Sequence, residues 1–326
     1  MNTPNNPLLA PFDLVPFSKI RNEDFLPAFR TLIEQTKKEI NAIADSSEKS
    51  SFKNTIEALE FSGEQLERVS SLFFNLNSAE TNDEIQKIAQ QVSPMLSEFE
   101  NDIKLNNKLF LRVKAVYDSK ESLALDPEQS TLLDHKYKSF ARNGANLPDD
   151  KKEILRSIDK ELSVLKLKFE ENVLAETNAY EMHLTDEADL KGLPKGEKEA
   201  AAALAAQKGE TGWVITLAYP SYIPFLKYAE NRELRKKIAI AAGAQGFKAN
   251  KFNNEENVLK IASLRFQRAR LLGYQNHAHF VLEERMAGSP EKVKDFLNDL
   301  LGKAKPFAEK EFKGLETFAK ELDGID

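Results

Sequence analysis

The 326-residue chain has no cysteine. That absence excludes disulfides, thiolate metal sites and a cysteine nucleophile together, and it suits a reducing compartment. Histidine is scarce, with only His135, His183, His277 and His279, and Trp213 is the one tryptophan. No apolar run approaches the ~18 residues of a membrane-spanning helix. The opening MNTPNNPLLAPF lacks a basic head followed by an apolar core, so no secretory signal is expected. Cations are in the minority, with 46 Lys and Arg against 52 Asp and Glu. A net charge of −6 argues against a general nucleic-acid or anionic-membrane surface, because phosphate binding needs clustered cations. No Gly-x-Ser-x-Gly elbow or Gly-rich phosphate loop is present; Gly243 and Gly246 alone do not make one. The expectation is a cytoplasmic protein with neither nucleic acid nor membrane as partner.

With 41% hydrophobic and 30% charged residues, the composition fits a soluble globular protein. The length suffices for about two domains and a sizeable core. Residues 1–22, with Pro4, Pro7, Pro11 and Pro16, read as an extended arm over the fold. A helix is expected from about Asp24 to Ala44, followed by a polar break at Ser46–Ser51. Asn54-Thr55-Ile56-Glu57 and Thr81-Asn82-Asp83-Glu84 read as capping boxes. The first launches the stripe Leu59, Leu66, Val69, Phe73 and Leu76. The second launches Ile85, Ile88, Val92, Leu96, Phe99 and Ile103, with a kink expected at Pro94.

Pro127 suits the first turn of a helix ending near Gly144. A longer helix starts near Asp149 or Asp150, with the stripe Ile154, Ile158, Leu162, Leu165, Phe169 and Val173. After Asn178 the pattern alternates. Tyr180–Leu184 and the β-branched run Trp213–Leu217, opened by the turn pair Thr211-Gly212, are expected to pair as a two-stranded ribbon. Such a ribbon is marginal unless it packs on helices. Between them lies the alanine-rich helix former EKEAAAALAAQ.

Pro220 and Pro224 punctuate the chain before three helical segments. These carry the stripes Leu234, Ile238, Ala241 and Val258, Ile261, Leu264, Leu271, and Asn231 is placed as a cap. Ser289-Pro290 starts the last helix, with the stripe Val293, Phe296, Leu300, Phe307, Leu315, Phe318 and Leu322 and a kink expected at Pro306. No constant repeat period is found.

The runs GWVITLAYPSYIPFLKYAENRELR and LRFQRARLLGYQNHAHFVLEERMA closely resemble the thimet oligopeptidase family of zinc peptidases, with its bacterial peptidyl-dipeptidase branch as the nearest look-alike. NTIEALEFSGEQLERVSSLFFNLNSAETNDEIQ, LDPEQSTLLDHKYKSFARNGANL and ETNAYEMHLTDEADLKGLP extend the resemblance to nearly the whole chain. It implies a mainly α fold of long antiparallel helices with one small β ribbon, the N-terminal part of a two-lobed neurolysin-like fold around a deep channel. On that reading residues 1–22 are an arm, 23–146 an N-terminal helical region and 147–326 the incomplete beginning of the peptidase core. The implied activity is hydrolysis of short peptides by zinc-bound water.

That chemistry needs His-Glu-x-x-His: two imidazoles one turn apart hold the metal, and the glutamate activates the water. Here the four histidines are followed by Lys136, Leu184, Ala278 and Phe280, so the motif is absent. His277 and His279 fall on opposite sides of a helix. His279 and Glu283 share a face, but an ion-paired or hydrogen-bonded histidine is the favoured reading. His183 reads as a rim residue, and the adjacent pairs Glu255-Glu256 and Glu283-Glu284 as solvated faces. Arg232, Arg235, Arg265, Arg268 and Arg270 read as structural ion-pairing partners, with channel lining as the functional alternative.

No catalytic, metal or substrate-binding residue is therefore assigned here. Zinc is expected in the full-length enzyme and none on this chain. Its expected partners are short peptides and the missing C-terminal half of the polypeptide. The rival expectations are a non-catalytic helical peptide-binding or scaffold protein derived from the same fold, and a different enzyme built on His279 and Glu283.

Overall fold

The computed structural model describes residues 6–12 and 14–324; Pro4, Ile325 and Asp326 lie outside the described residues. Two compact units divide the chain at Leu264, the first spanning 1–264 and the second 265–326. No helix among the described residues is long and apolar enough to cross a membrane.

The first unit begins with the arm. Leu8 is fully buried, and Asn6 ties the arm down by donating to the Asp24 carbonyl at 2.7 Å. Helix α1 (Asn22–Ala44) follows, then a π-helical turn Phe52–Glu57 running into α2 (Ala58–Phe61) and α3 (Glu64–Ala79). The turn is capped by Ser51, whose hydroxyl accepts from Asn54 N while Asn54 Oδ1 accepts from Ser51 N. The box thus sits three residues upstream of the expected one, and Asn54 takes the place assigned to the cap's glutamate partner.

The expected single stripe Leu59–Leu76 is divided at Gly63, which has φ +73°. A Cβ there would lie 2.8 Å from the Thr36 methyl carbon, so this break needs glycine on two counts. Helices α4 (Asp83–Lys104), α5 (Asn107–Asp118), α6 (Pro127–Arg142) and α7 (Asp149–Ala179) complete the helical array. Asn82, not Thr81, caps α4, and Glu84 instead accepts from Asn22 at 2.8 Å. Pro94 lies inside a helix that continues through it. Pro127 sits in the first turn of α6, as expected, and an Asp126–Gln129 capping box precedes it.

One apolar core joins α1, α3 and α4 around Phe25, Phe29, Phe73 and Val92. The Phe73 ring lies 5.0 Å from Phe25 and 5.5 Å from Phe29, in tilted and edge-on geometries that aromatic quadrupoles favour. A second joins the end of α1 to α2, α5 and α6 through Ile40, Leu109, Val113, Leu133 and Phe140. Along α7 the expected stripe holds at Ile158 and Leu162 and departs on either side of them. Leu155, Ile158, Leu162 and Leu167 are buried, whereas Ile154 and Phe169 are exposed.

Strands β1 (Glu181–Leu184) and β2 (Trp213–Thr216) pair antiparallel, with Met182 opposite Ile215 and Leu184 opposite Trp213. Gly212, at φ +92°, closes the turn, and a Cβ there would lie 2.3 Å from the Leu184 carbonyl oxygen. Helices α8 (Lys195–Gln207), α9 (Tyr219–Tyr228) and α10 (Arg232–Gly243) flank the ribbon. The third core, around Leu190, Ile215, Phe225 and Ile238, supplies the helix packing that a lone ribbon lacks. Pro220 and Pro224 lie within α9 instead of interrupting it. Asn231 caps α10 by accepting from Leu234 N at 3.2 Å.

Helix α11 (Glu255–Leu271) runs across the division between the units. Of its expected stripe Leu264 is buried and Val258 is exposed. The second unit adds α12 (His277–Leu282) and α13 (Pro290–Asp323). Ser289 caps α13, Pro290 opens it, and the helix continues through Pro306.

Candidate functional site

The four histidines are dispersed among unrelated local settings. His135 is exposed on α6. His183 points away from the core side of β1, since Met182 and Leu184 on either side are buried. Its Nε2 donates to the Thr211 carbonyl at 2.5 Å and lies 3.7 Å from Glu210. In the second unit the His277 ring stacks on Phe280 at 6.4 Å. His279 Nδ1 lies 2.9 Å from Asn276 Oδ1 and its Nε2 lies 3.6 Å from Glu291. Glu283 accepts instead from the Tyr274 hydroxyl at 2.6 Å. His279 and Glu283, which share a face by spacing, are thus committed to different neighbours.

Among the described residues no three His, Asp or Glu side chains converge as a metal-holding group. A catalytic zinc needs at least three protein donors with an open position. Among the described residues, His183, His277 and His279 are each turned to a carbonyl, an amide, a carboxylate or a ring and not toward one another. The arginines are also occupied locally where their contacts are defined. Arg235 donates to the Ala229 and Glu230 carbonyls at 2.5 and 2.9 Å, closing the end of α9, and Arg268 lies 4.9 Å over the Phe280 ring.

Sequence reasoning missed the most engaged buried carboxylate, Glu176. It sits on α7, three residues beyond Val173, where the apolar stripe would continue, and is 5% exposed. Its Oε1 lies 3.0 Å from both Lys248 Nζ and Asn250 Nδ2, and its Oε2 accepts from Gly246 N at 3.2 Å. Burial alone would push this carboxyl up. The Lys248 ammonium, the Asn250 amide and the Gly246 N–H outweigh that and hold it below the ordinary glutamate range.

Nearby, Asn254 donates to the Phe169 carbonyl at 3.0 Å and accepts from Asn172 and Asn257 at 2.9 and 2.7 Å. Together these contacts clamp the loop between α10 and α11 onto α7. Its signal in the sequence is a glutamate in an apolar stripe facing an asparagine-rich loop.

The second unit presents a row of exposed apolar side chains on α13. Phe296, Leu300, Phe307, Phe312, Leu315, Phe318 and Leu322 on α13 are all more than half exposed. Contiguous apolar surface of this kind marks an interaction face, whereas single exposed apolar residues do not.

Two family descriptions match the sequence: "Neurolysin/Thimet oligopeptidase, N-terminal domain" over residues 29–152 and "Peptidase family M3" over residues 225–326. The chain is 33% identical to Oligopeptidase A of Escherichia coli over 325 residues, covering 98% of this chain and 48% of that protein. It is 34% identical to the Dipeptidyl carboxypeptidase of the same organism over 319 residues, covering 98% and 46%. The Probable cytosolic oligopeptidase A of Arabidopsis thaliana is 30% identical over 323 residues, covering 97% and 46%. The chain therefore spans about half the length of these curated relatives. The resemblance to the thimet oligopeptidase family read from the sequence is matched by these family descriptions over residues 29–152 and 225–326.

Proposed function

We propose that this chain, whose residues 225–326 match Peptidase family M3 and which aligns with an oligopeptidase and a dipeptidyl carboxypeptidase over 98% of its length, is the scaffold and channel-wall portion of a zinc peptidase of short peptides. Alone, it does not hydrolyse peptide bonds. The observation that carries this reading is the donor inventory. No histidine is followed by glutamate, so the His-Glu-x-x-His pattern is absent, and His183, His277 and His279 are turned to local partners. The zinc that the resemblance implies is therefore assigned to no residue here, and no catalytic step is routed through this chain.

In this reading the apolar face of α13 is covered by the remainder of the polypeptide, the relatives being about twice as long. Residues 147–326 then begin the peptidase core, and the protein works in the cytoplasm. Near-equal identity to an oligopeptidase and to a dipeptidyl carboxypeptidase supports short peptides as substrates of the whole enzyme, whichever bond is cut. The test is hydrolysis of a quenched short peptide by the purified chain with added zinc. No turnover above background is expected, and metal-dependent, chelator-sensitive turnover rejects the proposal.

A further inference from the structure

Helix α13 carries apolar side chains in the spacing of a helix pair. Steps of four and three residues link Val293, Leu297, Leu300, Ala304 and Phe307. The steps continue through Glu311, Leu315, Phe318 and Leu322, with a step of four in place of three at Leu315. Such a seam keeps one line of side chains turned to a neighbouring helix. From Lys294 to Leu322 every residue except Ala319 is exposed, so the seam faces solvent.

The spacing is nearly the same in either direction. Reversal about the point between Phe307 and Ala308 sets Leu297 against Phe318, Leu300 against Leu315 and Val293 against Leu322. It also sets Glu311, the one charged residue of the seam, against Ala304, whose small side chain leaves the carboxylate room to reach the edge. A parallel, in-register pair would instead face Glu311 with Glu311, and like charges at a seam position repel. The extent of the face is also sufficient. The four phenylalanines of α13 are 59–72% exposed and alone present on the order of 500 Å² per copy, at about 150–250 Å² for each aromatic side chain. Five leucines, each more than half exposed, extend it toward the ~800 Å² per partner of a standard interface.

We propose that in the chain by itself a second copy covers this face, the two α13 helices pairing antiparallel about a two-fold axis near Phe307. A two-fold contact uses the same patch on both copies, and the reversible spacing supplies it. The proposal rests on the reading of the α13 face as an interface. Where the remainder of the polypeptide is present, it and a second copy compete for the same side chains.

The experiment is analytical ultracentrifugation of the whole purified chain from low to high micromolar concentration. A monomer–dimer equilibrium is expected. Leu300→Lys places an unpaired ammonium in the seam and should raise the dissociation constant by about tenfold or more, without moving the urea midpoint of the first unit. Glu311→Leu, which removes the charge of the seam, should lower the constant severalfold. The chain has no cysteine, so single introduced thiols report the direction of pairing. Lys292→Cys and Glu321→Cys chains should cross-link to each other when mixed and neither to itself. A chain that stays monomeric throughout, a dimer indifferent to Leu300→Lys or to Glu311→Leu, or a Lys292→Cys chain that cross-links to itself overturns the proposal. None of these outcomes bears on peptide hydrolysis, so the scaffold reading keeps its own test.

Discussion

Replacing Glu176 tests whether the loop between α10 and α11 is held by one buried carboxylate. Three donors converge on it, at 3.0, 3.0 and 3.2 Å. Hydrogen bonds to a charged group each contribute about 1.5–3 kcal/mol, and removing one partner of a fully buried ion pair costs about 3–5 kcal/mol. Lys248 is one-third exposed and turns to water when its partner goes, so the upper figure does not apply. Glu176→Gln keeps the shape and one acceptor and should cost about 1–2 kcal/mol; Glu176→Ala also strands the Gly246 N–H and should cost about 3 kcal/mol.

The sign with pH follows from the direction of the shift. The folded carboxyl titrates below the unfolded one. The stabilisation is therefore complete above the unfolded value and is lost as pH falls through the folded one. Amide hydrogen exchange at Gly246, Asn250 and Asn254 is the assay, because it reads opening of this loop apart from global unfolding. Exchange there should quicken about tenfold for each 1.4 kcal/mol lost. In the wild type, protection should fall on acidification, and in Glu176→Gln that added pH dependence should be gone. Equal protection in both proteins from neutral pH to below 4 would refute the clamp.

Phe73→Ala should lower unfolding stability by about 3–5 kcal/mol, since it removes a fully buried ring with aromatic neighbours on two sides; urea titration measures it. Gly63→Ala should cost at least about 1–2 kcal/mol from the left-handed backbone alone, with the contact to Thr36 adding to it, read as a shift of the same midpoint. Phe312→Lys combined with Phe318→Lys should reduce binding of a fluorescent apolar dye and any self-association, while changing the first unit's stability by no more than about 0.5 kcal/mol. Unchanged dye binding would mean that the exposed α13 face is not the apolar surface the dye reads.

Features set by local chemistry were legible in the sequence. Asn231, Pro127 and Ser289-Pro290 act at the helix starts where they were expected, and the ribbon pairs over nearly the expected residues. What needed tertiary information was the phase of long helices. In α7, Ile154 and Leu155 are both apolar and both lie one turn from Ile158, and only packing selects Leu155. Farther along α7, Leu167 is buried and Phe169 exposed although Phe169 lies within about 20° of buried Ile158 around the axis, so burial there follows the neighbours the helix meets and not its phase.

Buried charges were missed for a related reason. Lys152 donates to the Leu105 carbonyl at 3.1 Å and to Asn107 at 2.5 Å, acceptors more than forty residues away in the chain. Arg112 likewise donates to the Ser46 and Glu48 carbonyls, both at 2.9 Å. Neither partnership has a local sequence pattern. Prolines misled in the other direction. Pro220 falls in the first turn of α9, where no amide hydrogen is required, so it helps to start the helix it was expected to precede.

The proposed scaffold role requires that this chain hold no zinc of its own. Equilibrium dialysis of the purified chain against low-micromolar zinc, followed by elemental analysis, tests it most directly. Zinc well below one ion per chain is expected after a brief wash. One retained zinc per chain, lost on substitution of His277 or His279, would contradict it.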